Sequence, residues 1–259
     1  MSSNLKTAVL HRIVRGAPLM FVLFFAAGNA FPGEFRVSPI KLEFTANAKS
    51  GVITVINEGK TKMNLQVSAS EWTQDEKGKD VYTETSDIVF YPKIMALEAG
   101  EQRVIRAGAK GPQPLREKTY RLFIEEIPDQ KKAEEGKSQV SIVIRFAPPI
   151  FVRPIVESRS GSLEKVELAK GKLTVVVKNT GNVHGTITAV TLLGKASDGQ
   201  KVYAKDIAGW YLLNGASRPY EVIIPQDACM QASTLEVTVK ADTFTLSRTV
   251  NVLKEMCTP

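Results

Sequence analysis

Few side chains in this sequence of 259 residues are of the types that carry out chemistry. Histidine occurs twice, and His11 falls in an N-terminal stretch that we expect to be removed. His184, which we predict at the surface beside a turn, has no cysteine or carboxylate partners at metal-ligand spacing. Glu125 and Glu126 are adjacent, but neighbours on a strand point to opposite faces and do not act together as acid and base. We therefore predict a protein that is not an enzyme and that uses no cofactor and no metal.

The N-terminus has the layout of a secretory signal. Three basic residues precede an apolar run at 17–27, and small residues follow up to Ala30. We therefore predict a signal peptide over residues 1–30 that is cleaved on export. The apolar run is shorter than the ~20 residues that a bilayer requires, and an uncleaved anchor is the alternative.

The two cysteines, Cys229 and Cys257, are interpreted in the light of this predicted export. An oxidising compartment favours a disulfide between them, worth about 3–4 kcal/mol in the chain-entropy description. Two unpaired buried thiols are the alternative.

The net charge of the whole chain is +7, and removal of the basic signal leaves a mildly basic protein. The basic residues form no run interleaved with aromatic side chains, and no second long apolar stretch follows the signal. The sequence therefore predicts no nucleic-acid binding and no stable membrane insertion.

The elements that must position any site are short, alternating apolar segments between turn signals, without a sustained helical period. This pattern predicts an all-β protein of two β-sandwich domains. We place the N-terminal domain at residues 31–154 and the C-terminal domain at 155–259. No glycine- or serine-rich linker joins them, so we expect a fixed angle between the domains.

The stretch 139–154, QVSIVIRFAPPIFVRP, is the most informative of these segments. An alternating apolar row is followed by Pro148 and Pro149, which remove two backbone donors, so this strand lies at a sheet edge or leaves its sheet there. The row either packs into the core of its own domain or stays open to receive a strand from a partner. Its members are Val140, Ile142, Ile144 and Phe146.

Several motifs between residues 34 and 253 carry a family resemblance. They are SPIKLEF near the predicted mature start, KTYRLFIEEIP, the alternating strand that ends in FVRP, and GNVHGTI and GWYLLNGASRPYEVIIP in the second domain. Together they resemble the periplasmic pilus-assembly chaperones of the chaperone–usher type, the PapD-like family.

The resemblance implies two immunoglobulin-like domains arranged as a boomerang, located in the periplasm. It also implies that the chain binds pilus subunits by donating its edge strand, and that it delivers them to an outer-membrane usher. The free protein would then be able to cap its own edge as a homo-oligomer. The loop at 129–137 is predicted to be solvated. A secreted structural or adhesin-type β-sandwich protein is the alternative.

The resemblance also implies site residues. The family anchors the terminal carboxylate of the subunit with two basic residues, and the first maps onto Lys41. The second maps onto Pro149, which carries no charge, so either the anchor has moved to Arg121 on an adjacent strand or one cation suffices; Arg145 is a weaker candidate. The family's interdomain ion network maps onto Glu117, Arg153 and Asp242.

Overall fold

The computed structural model describes residues 35–128 and 143–258. The predicted signal peptide, the loop at 129–137, and Val140 and Ile142 of the apolar row lie outside the described residues. Strands dominate the described ranges and form four sheets in two sandwiches, which confirms the predicted all-β class.

The first sandwich pairs a four-stranded sheet with a larger sheet. Its strands are β1 (Phe35–Ser38), β2 (Leu42–Phe44), β3 (Ser50–Asn57), β4 (Met63–Gln74), β5 (Asp80–Glu84), β6 (Ile88–Tyr91), β7 (Ile94–Leu97), β8 (Gln102–Ala109), β9 (Lys118–Ile127), β10 (Arg145–Phe146) and β11 (Pro149–Val152). The smaller sheet has the order β1-β3-β8-β6, and the larger has the order β2-β11-β9-β4-β5. In addition, β10 pairs with β9, and β7 pairs with β4. Alternate side chains of both sheets, such as Phe44, Ile53 and Leu122, fill the space between them.

The second sandwich has a smaller set of strands and one short helix. Its elements are β12 (Gly161–Ala169), β13 (Lys172–Asn179), β14 (Gly185–Lys195), β15 (Lys201–Ala208), β16 (Tyr211–Leu212), β17 (Ser217–Ile223), α1 (Gln226–Gln231), β18 (Thr234–Ala241), β19 (Thr245–Asn251) and a 3₁₀ helix (Lys254–Cys257). One sheet has the order β12-β13-β17, and the other has the order β15-β14-β18-β19 with β16 attached to β14.

A disulfide joins Cys229 in α1 to Cys257 in the 3₁₀ helix, with the Cα atoms 5.7 Å apart. This confirms the predicted disulfide, and the alternative of two free thiols is wrong. The sequence did not predict the helix α1, because six residues are too few to show a helical period. None of the helices in the described ranges has the length and apolar character needed to cross a membrane.

The two sandwiches meet in a packed junction. Trp72 and Phe151 of the first sandwich and Leu213 of the second form a separate buried apolar cluster. The side chain of Gln74 donates to the carbonyl of Tyr211 at 2.9 Å and accepts the backbone N–H of Leu213 at 3.0 Å. Apolar packing and hydrogen bonds across the junction therefore hold the two sandwiches together.

Candidate functional site

The double proline separates an edge strand from a central strand. Before it, β10 has β9 as its strand partner, with Phe146 opposite Ile124. After it, β11 lies between β9 and β2. Pro148 donates no hydrogen bond, but its carbonyl accepts the N–H of Leu122 at 3.1 Å. Among the described residues, one side of β10 therefore has no strand partner.

The end of the apolar row lies at the rim of its own core. Ile144 is half-buried and packs against the core of the first sandwich. The Phe146 ring lies 5.1 Å from the Phe35 ring and retains 36% exposure. Ile144 therefore belongs partly to the core of the first sandwich, as one of the two interpretations of the apolar row expects.

Three residues form a row across the larger sheet at the position that the resemblance gives to the carboxylate anchor. Pro149 lies opposite Arg121 on β9. On its other side, β11 runs parallel to β2 with Ile150 beside Leu42, so the same register places Lys41 next to Pro149. Side chains at matching positions of neighbouring strands point to the same face. Arg121 therefore presents its guanidinium on the face that a basic residue at position 149 would use.

Arg121 is a buried cation with an incomplete set of partners. The residue is 7% exposed, and its Nη1 donates to the carbonyl of Ala147 at 2.8 Å. Its Cζ lies 3.8 Å from the centroid of the Trp72 ring, a cation–π contact, and 5.6 Å from that of Tyr211. Its Nε has no hydrogen-bond partner among the described residues, and no described carboxylate forms an ion pair with the group.

A cavity of about 290 Å³ opens at Arg121. Apart from Arg121, its principal walls are apolar and come from both sandwiches: Val37, Ile40, Phe146, Pro148, Pro149 and Tyr211. Lys41 does not line the cavity; its exposed Nζ forms an ion pair with Glu43 at 2.8 Å. The structure therefore brings Arg121, but not Lys41, to the wall of the cavity.

Arg145 has a different environment. Its Nη2 lies 2.9 and 2.8 Å from the two carboxylate oxygens of Glu125, and its Cζ lies 5.3 Å from the Phe123 ring centroid. The charge of Arg145 is already neutralised, so this residue is a poor candidate for a ligand anchor. Glu125 is likewise engaged in this ion pair.

A second buried cation, Arg153, lies at the junction between the sandwiches. It contacts carboxylate oxygens of Glu43 at 3.2 Å, Glu157 at 3.4 Å and Glu117 at 3.6 Å. Partial burial by itself raises the pKa of the Glu43 carboxyl, but the hydrogen bond from Lys41 and the charge of Arg153 outweigh it and hold that pKa below its usual value. The Glu117 side chain is fully buried, so Arg153 balances a charge that water does not reach.

His184 completes this cluster, and the prediction of a surface histidine is wrong. It is 8% exposed, and its ring stacks on Phe151 with 3.7 Å between centroids. Its Nδ1 lies 2.7 Å from Oε1 of Glu117, which also accepts its backbone N–H at 2.9 Å. The turn before His184 packs against the first sandwich, where the N–H of Glu117 donates to the carbonyl of Asn182. The sequence signal was weak: a single histidine within GNVHGTI.

Asp242, the third predicted member of the ion network, lies apart from this cluster. Its Oδ1 accepts the backbone N–H of Thr186 at 3.0 Å, and the described ion pairs of Arg153 are with Glu43, Glu117 and Glu157. His184 therefore takes the place in the second sandwich that the resemblance assigned to Asp242. In residues 35–128 and 143–258, no group of three or more histidine, cysteine or acidic side chains is arranged to hold a metal ion.

Known structures share this architecture. A chain of the CsuC–CsuE chaperone–tip subunit complex from the archaic chaperone–usher Csu pili of Acinetobacter baumannii superposes with a TM-score of 0.58 at 21% identity, covering 84% of this chain and 98% of that chain. The class 5 fimbriae chaperone CfaA gives 0.53 at 16% identity, with coverages of 83% and 98%. The Salmonella enterica SafA pilin–SafB chaperone complex gives 0.53 at 15% identity, with coverages of 83% and 96%. At these identities the likeness defines a class, the two-sandwich fold found in fimbrial chaperone structures.

A sequence match identifies the family of the first sandwich. Residues 34–156 match the family profile "Pili and flagellar-assembly chaperone, PapD N-terminal domain". A comparison with curated proteins finds no match. The profile match covers the first sandwich and confirms the predicted resemblance to the PapD-like pilus-assembly chaperones.

Proposed function

We propose that this chain is a periplasmic chaperone that binds pilus subunits by adding a strand of the subunit to β10, and that it delivers them to an outer-membrane usher. The observation that supports this most directly is an edge strand beside a cavity whose wall contains a buried cation, Arg121, without a counter-charge among the described residues. Backbone hydrogen bonds along an edge provide affinity for any extended segment, and alternate side-chain pockets provide selectivity.

The position of Arg121 favours one direction for the added strand. A strand parallel to β10 ends near Phe146 and Ala147 and brings its terminal carboxylate to the cavity. An antiparallel strand would bring an ammonium group to the same place, which Arg121 repels. We therefore assign Arg121 as the principal carboxylate anchor, with Lys41 as an outer cation in the same row that must exchange Glu43 for the ligand.

The proposed compartment follows from the N-terminus and the disulfide. The basic start and apolar run at 17–27 support export with cleavage near Ala30, and the Cys229–Cys257 bond suits an oxidising compartment. We also propose that two free molecules pair their open edges as a self-capping homo-oligomer until a subunit replaces one of them.

Replacing Ile142 and Ile144 together by threonine tests strand addition. Threonine preserves β-propensity and removes the apolar fill, so co-purification of a co-expressed pilin-like subunit should fall strongly. Because Ile144 is only half-buried against its own core, we expect a small loss of thermal stability in the unbound protein.

Val104→Thr is the matched control, since Val104 is an exposed β-branched residue on the other sheet and should leave capture unchanged. A large fall in the thermal midpoint of the free double variant, with capture retained, would assign the row to the chaperone's own core and remove the main support for strand donation.

A further inference from the structure

The cavity at Arg121 combines one buried cation with apolar walls. Phe146, Ile40 and Pro148 supply walls from the first sandwich, and Tyr211 closes the site from the second. At about 290 Å³, it lies at the small end of the range of about 300–1,000 Å³ for ligand sites. It therefore has room for one side chain and its carboxylate, but not for a folded segment.

The missing component of this cavity is a single negative charge. Asp80, an acidic residue at the junction of the sandwiches, forms no described ion pair with Arg121: its Oδ1 accepts a hydrogen bond from Gln74 at 3.0 Å, and its Oδ2 accepts one from Trp210 at 3.0 Å. A buried guanidinium that is stacked on Trp72 and bonded to one carbonyl can still donate several N–H groups to a carboxylate. A second negative or strongly polar group in the cavity would meet apolar carbon and would lose its hydration without compensation.

We infer that this cavity selects the last residue of the bound polypeptide: the terminal carboxylate binds Arg121, and the side chain of the same residue must be apolar. The inference rests on the proposed function and adds a rule about which subunits the chain accepts. A polypeptide terminus is favoured over a free small carboxylate because β10, the open edge, leads directly into the cavity through Phe146 and Ala147. The apolar walls exclude acidic and amide-bearing terminal side chains, which is selection by the cost of desolvation.

Short peptides that share a body and differ only at the terminus test this rule with the exported protein. The probes are acetyl-Gly-Ser-Thr-Phe as the free acid, the same peptide as the C-terminal amide, the acid peptide that ends in Asp, and N-acetylphenylalanine. Binding is followed by NMR chemical-shift titration. We expect the Phe acid to bind at least tenfold more tightly than each of the other three.

Wall variants separate the apolar selection from the charge. Ile40→Ser should reduce the preference for Phe over Asp at the terminus several-fold and leave the preference for acid over amide unchanged. Ile94→Ser is the matched control because Ile94 is exposed to a similar degree, 69% against 75% for Ile40, and lies on β7 away from the cavity.

Three results would overturn the inference. Equal binding of acid peptides with Phe and Asp termini would show that the cavity reads only charge. Binding of N-acetylphenylalanine as tight as that of the peptide would show that the site takes small carboxylates. Equal binding of the acid and the amide peptides would show that Arg121 is not the anchor. Strand addition is tested separately by subunit capture with the Ile142 and Ile144 double variant.

Discussion

Two buried arginines lie on neighbouring strands of one sheet and have opposite surroundings. Arg121 on β9 is 7% exposed, and Arg153 at the end of β11 is 9% exposed. Arg153 contacts the carboxylates of Glu43, Glu117 and Glu157. Arg121 contacts a carbonyl and aromatic faces, and no described carboxylate pairs with it.

The difference separates a cation that is paired within the fold from one that we propose as a ligand anchor. Burying a charge is costly unless it is paired, and Arg153 is paired inside the molecule. Arg121 remains partly unsatisfied, and an anion supplied from outside would compensate its burial. Burial of a charge near a cavity is therefore informative about function mainly when the counter-charge is missing.

Arg153→Met should have the largest effect on stability. The change leaves the fully buried Glu117 carboxylate without its cation, and breaking a buried pair in this way costs about 3–5 kcal/mol. Equilibrium urea unfolding measures it. Arg36→Met serves as the control because Arg36 forms an exposed pair with Glu58, which is worth about 0–1 kcal/mol. Equal losses for the two variants would contradict a structural role for Arg153.

Arg121→Met should have the opposite pattern of effects: a large loss of binding and a small loss of stability. Removal of a desolvated anchor should weaken the binding of a subunit or of an acid-terminated peptide by about 2–5 kcal/mol, measured by titration calorimetry. The free protein should lose only about 1 kcal/mol, because one carbonyl bond and one cation–π contact disappear together with an uncompensated buried charge.

Lys41→Ala tests how much the second cation beside Pro149 contributes to binding, compared with Arg121. Its ammonium is exposed and already paired with Glu43, so we expect a smaller loss of binding than for Arg121→Met. A larger loss for Lys41→Ala would return the main anchor to the position that the family resemblance gives it.

His184→Phe tests the stabilising role of the cluster that contains Arg153, Glu117 and His184. Phenylalanine retains the stacking on Phe151 but removes the Nδ1 contact with Glu117, leaving a buried carboxylate with one partner fewer. We expect a loss of about 1–3 kcal/mol in urea unfolding. Binding of an acid-terminated peptide should be unchanged, and a parallel loss of that binding would show that junction and anchor are not separate.

Local sequence patterns predicted the fold, but they indicated the proposed carboxylate anchor only in part. Alternation and turn residues determine strands, so the all-β class and the two sandwiches were accessible before the structure. The departure at Pro149 was visible in the motif, and it directed attention to Arg121 on the neighbouring strand. That Arg121 and Pro149 are opposite each other depends on strand register, which a single sequence does not fix.

The burial of His184 and the separation of Asp242 had no local signal. His184 follows a turn, and turns are normally exposed, but here the turn packs against Glu117 of the other sandwich. Contacts between residues 67 positions apart, such as His184 and Glu117, depend on how the two sandwiches dock. Local sequence patterns therefore predicted the turn before His184 correctly, but they predicted the burial of His184 incorrectly.

The smallest expected effect is a pH dependence of the unfolding free energy that arises from the ion pairs of Glu43 with Lys41 and Arg153. Lys41 and Arg153 hold the pKa of Glu43 below its ordinary value of 4.5, against the effect of partial burial. A carboxyl group with a lowered pKa in the folded state stabilises the protein above its unfolded pKa, and this contribution disappears as the pH falls through the folded pKa. The unfolding free energy of the wild type should therefore decrease more steeply than that of Glu43→Gln as the pH falls below 4.5. Glu58→Gln, which alters an exposed pair, should follow the wild type. If Glu43→Gln has the same acid dependence as the wild type, the ion pairs of Glu43 add nothing to Arg153, and the contrast between the two arginines then depends on Glu117 and Glu157 alone.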